Sequence, residues 1–166
     1  MQQNFSDPIS DIKIRQATLD DIPKIIDINL KTLPENYATS FYEDILINYP
    51  ETFIVAENDE KIIGYIMCRI EYGLSSIRTL NLARKGHIVS IALLEECRNK
   101  GTGTELLKIA IEGMKKRNCR ESYLEVRSNN FHAIKVYEKF GFTKNKTMSN
   151  YYRDGSSAVL MSLEII

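Results

Sequence analysis

The sequence predicts an α/β protein, a mixed β-sheet carrying helices on both faces. Three observations predict it. Apolar residues shift between alternation and helical spacing in the order β-α-α-β-β-β-α-β-α-β-β. One stretch, Gly86–Leu93 (GHIVSIAL), is a continuous apolar run, as a central strand buried on both faces would be. The 166 residues, 43% hydrophobic and 27% charged with only 8 Gly and 4 Pro, suit one folded domain rather than a disordered or collagen-like chain.

Each element follows from its pattern. Residues 1–11 are polar and unpatterned and read as a flexible N-terminal arm, leaving 12–166 as a single domain. Ile12–Ala17 alternates apolar and polar, as a half-buried strand does. Thr18–Asp21 reads as a capping box, the Thr18 side chain accepting from first-turn N–H groups. Ile22, Ile25, Ile26 and Leu30 then keep helical spacing until Leu33-Pro34 breaks it. A second short helix fits Ser40–Asn48, before Pro50. Thr52–Glu57 and Lys61–Glu71 form a hairpin around Asn58-Asp59-Glu60. Residues 72–84 read as a loop ahead of the Gly86–Leu93 strand. Gly103–Arg117 puts Leu106, Leu107, Ala110 and Met114 on one helical face. Ser122–Arg127 is a strand and Phe131–Phe140 a helix; Phe142–Tyr151 and Ala158–Glu164 close the chain as a hairpin around Arg153-Asp154-Gly155.

The formal charge is zero, 22 Lys+Arg against 22 Asp+Glu, which excludes a general nucleic-acid binder. That sum conceals a division. Residues 1–60 carry 12 acids and 4 bases, whereas residues 61–166 carry 10 acids and 18 bases. Uneven scatter over a solvated surface is the plain reading, and two oppositely charged faces the functional one. No run approaches the ~18 apolar residues of a membrane span. The first residues, MQQNFSDPIS, lack the basic flank and apolar stretch of a secretion signal. Three unclustered cysteines (Cys68, Cys97, Cys119) fit a reducing compartment better than a disulfide framework. The expectation is a cytoplasmic protein that binds neither nucleic acid nor membrane.

The segment after the apolar run reads Glu95-Glu-Cys-Arg98-Asn99-Lys100-Gly101-Thr102-Gly103-Thr104. A strand, a glycine-bearing turn and a helix N-terminus together suit a phosphate: the backbone approaches closely, free N–H groups face outward and the helix dipole favours an anion. Arg98 and Lys100 add cationic donors. A P-loop would need Gly-Lys-Ser/Thr, and the dinucleotide fingerprint fails because residue 106 is Leu. An ordinary glycine turn is the competing explanation.

Arg98-x-x-Gly101-x-Gly103 after a hydrophobic strand resembles the pyrophosphate-binding motif of the GNAT superfamily of acetyl-CoA-dependent N-acetyltransferases. Asn130-x-x-Ala133-x-x-x-Tyr137-x-x-x-Gly141-Phe142 resembles that superfamily's second signature. Within it, Leu33-Pro-Glu-Asn-Tyr37, Lys85-Gly-His-Ile88, Leu124-Glu-Val-Arg127 and Tyr151-Tyr-Arg-Asp-Gly155 resemble the catalytic subunit of the N-terminal acetyltransferase A complex and its stand-alone archaeal relatives. The resemblance runs from about residue 12 to 164. It implies the GNAT fold, a mixed and mostly antiparallel twisted sheet of about seven strands with about four helices on both faces. It also implies acetyl transfer from acetyl-CoA to the α-amine of protein N-termini of Ser, Ala, Thr or Met type, by direct attack in a ternary complex. The implied partners are N-termini of proteins or peptides, with ribosomes and nascent chains as their setting.

The chemistry suits the residues. An α-amine with a pKa of 7.7–8.0 is roughly one-tenth neutral at pH 7, so a modest base suffices; a Lys amine is neutral about once in a few thousand molecules. By resemblance Glu35 is catalytic, and His87 with Glu125 holds a water that relays the proton. Tyr137, a phenol, is the implied general acid toward the leaving thiolate. The resemblance assigns Arg98, Asn99, Lys100, Gly101, Thr102, Gly103 and Thr104 to the pyrophosphate. Asn130 and Tyr137 go to the cofactor's arm, and Ile91, Ala92 and Leu93 pair with that arm by their backbone, one N–H meeting the thioester oxygen. Tyr37, Tyr151 and Tyr152 would form the peptide mouth, with Leu33 and Pro34 around the first side chain. Each has a bland counterpart: a satisfied strand histidine, loop carboxylates, core or hairpin aromatics. No metal is required, and one held by the His87–Glu125 pair would be adventitious. Direct transfer needs no acyl-cysteine, and His132 reads as a surface residue.

Two alternatives stay open. One is a GNAT enzyme acting on a small-molecule amine; the other is a non-catalytic acyl-CoA-binding module. Ser156-Ser157, where relatives commonly carry an acidic pair, departs from the pattern.

Overall fold

The computed structural model describes residues 11–166, so the arm expected over residues 1–11 lies outside them except for Asp11. Arg15, in β1 (Lys13–Gln16), shows how the first elements lock together. Its guanidinium forks onto Asp21 at 2.7 and 2.9 Å and reaches Glu57 at 2.8 Å. The turn into α1 (Ile22–Thr32) is the expected capping box, the Thr18 side chain meeting the Asp21 N–H and the Asp21 carboxylate accepting from the Thr18 N–H (2.8 Å). The Thr18 hydroxyl also donates to that carboxylate (3.0 Å). Helix α2 is Thr39–Asn48.

Strands β2 (Phe53–Asn58), β3 (Lys61–Leu74) and β4 (Leu82–Leu93) form a meander. Then come α3 (Thr102–Lys116), β5 (Glu121–Arg127), α4 (Phe131–Phe140), β6 (Thr143–Met148) and β7 (Ala158–Glu164). Among the described residues the seven strands make one sheet, ordered β1-β2-β3-β4-β5-β7-β6. All neighbours run antiparallel except β4 and β5.

The expected loop 72–84 shrinks to residues 75–81, because β3 and β4 pair out to Gly73↔Ala83 and Leu74↔Leu82. Leu74 and Leu82 are exposed and Gly73 and Ala83 only half-buried, so no pattern of burial signalled the pairing. β4 also departs from a strand buried on both faces. From Gly86 on, buried residues alternate with half-buried ones. The last hairpin is shorter than expected: β6 stops at Met148, an exposed edge strand bearing Lys144 and Lys146.

Helices cover both faces. Ile25, Ile28, Tyr42 and Ile45 of α1 and α2 pack on Phe53, Val55, Tyr65 and Met67. Leu106, Leu107, Ala110 and Met114 of α3, with Ile134 of α4, pack on Ile54, Ile66, Ile88, Leu124 and Met161. A buried chain rivets α1 to β4: Asn29 Nδ2 donates to the Tyr65 hydroxyl (3.0 Å), which bonds Ser90 Oγ (2.7 Å). Beside it the register skips from Met67↔Ser90 to Cys68↔Ile88, leaving Val89 as a bulge.

The feature that positions the site is where pairing stops. β4 and β5 pair only over Lys85↔Glu121, Gly86↔Ser122 and His87↔Tyr123, although β4 runs on to Leu93 and β5 to Arg127. Past His87 the two strands part and leave an open edge in mid-sheet.

Candidate active site at the parting of two strands

The cofactor candidates line one side of this gap. Leu94 N–H donates to the Ile63 carbonyl (2.9 Å), so antiparallel alternation turns Ala92 toward β3 and Ile91 and Leu93 toward the gap. The Leu93 carbonyl accepts from Arg98 Nε (3.1 Å), which folds the following turn back on the strand. Gly101 sits at φ +83°, the left-handed conformation that glycine adopts without strain, and caps α3 with no side chain bonded to the helix end. The first N–H groups of a 15-residue helix therefore point outward unsatisfied. A Cβ at Gly101 would meet nothing within 4 Å, and one at Gly103 would touch only Leu93 Cδ1 at 3.4 Å. This concavity fits a phosphate. Asn99 also has positive φ (61°), and Lys100 and Thr104 are exposed while Thr102 is buried.

Asn130 and Tyr137 lie on α4. Asn130 Oδ1 accepts from Ala133 N–H (3.2 Å) as the helix cap. Tyr137 packs edge-on against Phe142, and burial pushes its phenol up to about 12.

The remaining candidates meet on the α1/α2 face. His87 Nε2 is 2.6 Å from Glu125 Oε2. His87 stacks on Tyr123, ring centroids 4.4 Å apart and planes within 1°. Glu35 lies 2.5 Å from Arg127, whose guanidinium also holds Asp154 (2.8 Å) and covers the Tyr152 ring at 4.1 Å. The Tyr37 hydroxyl donates to the Val89 carbonyl at the bulge (3.4 Å), and its ring stacks on Phe41. Burial pushes the Tyr37 phenol up to about 12, and the charges of Glu35 and Glu125 act in the same direction. Those carboxylates also raise Tyr152, after burial, and Glu125 raises Tyr151. Tyr151 and Tyr152 pack edge to face, 5.0 Å apart. Leu33 is half-buried against this core, and Pro34 is exposed. Four segments thus bring Glu35, Tyr37, His87, Glu125, Tyr151 and Tyr152 to one mouth.

Arg127, Asp154, Glu71 and Tyr123 belong to this constellation, and the sequence reading passed over their side chains. One signal was available. In Ser-Tyr-Leu-Glu-Val-Arg (122–127), Tyr123, Glu125 and Arg127 alternate with buried Leu124 and Val126, so the three share a face. Cys68 and Cys119 are buried, and burial raises the thiol of Cys68 and pushes that of Cys119 up to about 11.

The Acetyltransferase (GNAT) family model matches residues 22–142. The chain belongs to this family. The GNAT chain is 50% identical over 154 residues to an N-alpha-acetyltransferase of Saccharolobus solfataricus, covering 92% of each. A Sulfolobus acidocaldarius N-alpha-acetyltransferase is 47% identical, with 90% of each chain covered. Among solved structures, Ard1 from Thermoplasma volcanium superposes with a TM-score of 0.80 at 27% identity, covering 93% of this chain and 98% of that one. Arabidopsis thaliana Naa50, solved with the bisubstrate analogue CoA-Ac-MVNAL, gives 0.79 at 27% identity, with 92% and 98% covered. Among the described residues of this GNAT chain, no helix is long and apolar enough to cross a membrane.

Proposed function

We propose that residues 12–166 form a single-domain N-alpha-acetyltransferase, moving acetyl from acetyl-CoA to the α-amine of a protein N-terminus in a ternary complex. The observation that carries this reading is the parting of β4 and β5 beyond His87, with a backbone-built anion cradle on one side and a carboxylate- and tyrosine-lined mouth on the other. Relatives named N-alpha-acetyltransferase at 47 and 50% identity support it.

Gly101, Thr102, Gly103 and Thr104 present N–H groups to the pyrophosphate, with Arg98, Asn99 and Lys100 around it. Ile91 and Leu93 pair with the pantetheine arm; Ala92, turned to β3, holds the strand in place. Asn130 caps the helix that flanks the arm. Glu35 and Glu125 draw the ammonium into the mouth, where Arg127 holds Glu35 in place. His87 and Glu125 order the water that takes its proton. Tyr137, its phenol raised, donates a hydrogen bond to the departing sulfur. Tyr37, Tyr151 and Tyr152 grip the peptide backbone, and Leu33 and Pro34 bound the first side chain, favouring Ser, Ala, Thr or Met. The setting is cytoplasmic, on proteins or nascent chains at the ribosome, and no metal is needed.

Acetylation of short peptides varied at positions one and two, read by mass spectrometry, tests this. Acetyl on the α-amine of peptides with small first residues is the expected result. Acetyl on lysine side chains or on polyamines alone would overturn it.

A further inference from the structure

His87 Nδ1 is buried and has no hydrogen-bond partner, while Glu71 Oε1 stands 3.8 Å away. A buried orphan nitrogen is costly unless something uses it. Glu71 itself is firmly held. Its other oxygen accepts from the Tyr123 hydroxyl, and Arg69 Nε lies 2.7 Å from Oε1 as an ion pair without an aligned N–H···O bond. Tyr123 is the ring on which His87 lies flat, and Lys85 Nζ sits 4.5 Å from that ring's centroid. One phenol therefore fixes both the imidazole plane and the carboxylate that faces it. Burial raises the Glu71 carboxyl, but the Tyr123 hydrogen bond and the charges of His87 and Arg69 outweigh it and hold it below its ordinary value. Burial and the same hydrogen bond raise the Tyr123 phenol, so it remains the donor.

We propose that Glu71 is a positioning residue for acetyl transfer: it accepts from His87 Nδ1 whenever the ring takes up a second proton, so that two carboxylates bracket the imidazole. This rests on the function proposed above. In that reaction an ammonium and a thioester become an amide, a thiol and one free proton. The nitrogen loses two protons; the leaving sulfur takes one, and the other must pass to the base and then to solvent. Nε2 is already engaged by Glu125, so a second proton on the ring lies on Nδ1. The 3.8 Å separation closes to a hydrogen bond when that proton arrives, as such contacts tighten in the working complex. The charged and titratable groups facing the ring are Glu71 and Arg69 from β3, Lys85 from β4, and Tyr123 and Glu125 from β5. The Tyr151 hydroxyl, in the β6–β7 loop, is close enough to feel Glu125 and Arg69.

The test pairs kinetics with ring spectroscopy on Glu71→Gln, Glu71→Asp and Tyr123→Phe. Gln keeps the shape of the side chain but removes its charge, so kcat falls about fivefold and the acid limb of the pH–rate profile moves to lower pH. Asp restores most of both, and Phe gives a smaller loss because the carboxylate is no longer held. A Glu71→Gln profile that superposes on the wild type overturns the proposal. The second arm needs no activity. The chain has two histidines, and His132→Asn leaves only His87. On acidification the wild type should show a downfield Nδ1–H resonance for His87 that Glu71→Gln lacks; the same resonance in both proteins overturns the proposal. Failure of the wild type to acetylate any peptide α-amine would instead count against the functional reading, leaving the resonance to decide on Glu71.

Discussion

The two sides of the gap between β4 and β5 are built from different materials. On the α3 side the donors are backbone N–H groups, fixed by one left-handed glycine and a helix end. On the mouth side the site is a set of side chains from distant segments; Glu35 and Arg127 are 92 residues apart in the chain. Backbone donors tolerate many side-chain changes but no added bulk. Side-chain clusters tolerate bulk at their rim but fail when one charge is lost. The two sides should therefore break under different substitutions.

The largest effect is expected at the mouth. Glu125→Gln should lower kcat roughly a hundredfold while acetyl-CoA affinity, read by calorimetry, stays within a factor of two or so. Equal losses in both would erase the distinction between the sides. The converse change is Gly103→Val, which meets only Leu93 inside the protein but fills the cradle. Acetyl-CoA affinity should fall about tenfold or more with little change in melting temperature. Retained tight binding would remove the cradle from the account.

Next comes the staple across the mouth. Arg127→Gln releases Glu35 and Asp154 together and should raise the peptide KM about fivefold, leaving the acetyl-CoA KM unchanged. The smallest effect is in pH. The Ser156 N–H, with help from Arg127, holds the Asp154 carboxyl down to about 2. A depressed carboxyl contributes above its ordinary value of 3.8 and loses that contribution as the pH falls toward 2. Tyrosine fluorescence, free of tryptophan background in a chain with none, should report an unchanged Tyr151–Tyr152 environment from pH 7 to about 4 and a change below it.

The same contrast explains what could be read from the residues alone. The order of elements and the cradle were legible because both are local: hydrophobic period names a strand or helix, and a glycine turn before a helix names an anion site. Arg127, Glu71 and Tyr123 were not, because their roles depend on partners brought in by the sheet from far along the chain. The ends of β3 and β4 were missed for another reason, since Leu74 and Leu82 pair while exposed and leave no pattern of burial. The charge division between residues 1–60 and the remainder also changes meaning. Asp21 and Glu57 pair with Arg15, Asp27 with Lys24 and Lys31, and Glu35 with Arg127. Asp21, Glu57 and Asp27 are thus met by bases of their own segment and Glu35 by one from the other, and the carboxylates that matter at the mouth are Glu35 and Glu125, one from each half.

The central claim is that amine and thioester meet directly across the gap, with no cysteine carrying the acetyl group. Initial rates measured over a grid of acetyl-CoA and peptide concentrations test it most directly. Double-reciprocal lines that intersect are the predicted result, because both substrates must be bound before transfer. Parallel lines, together with acetyl trapped on the protein in the absence of peptide, would contradict it.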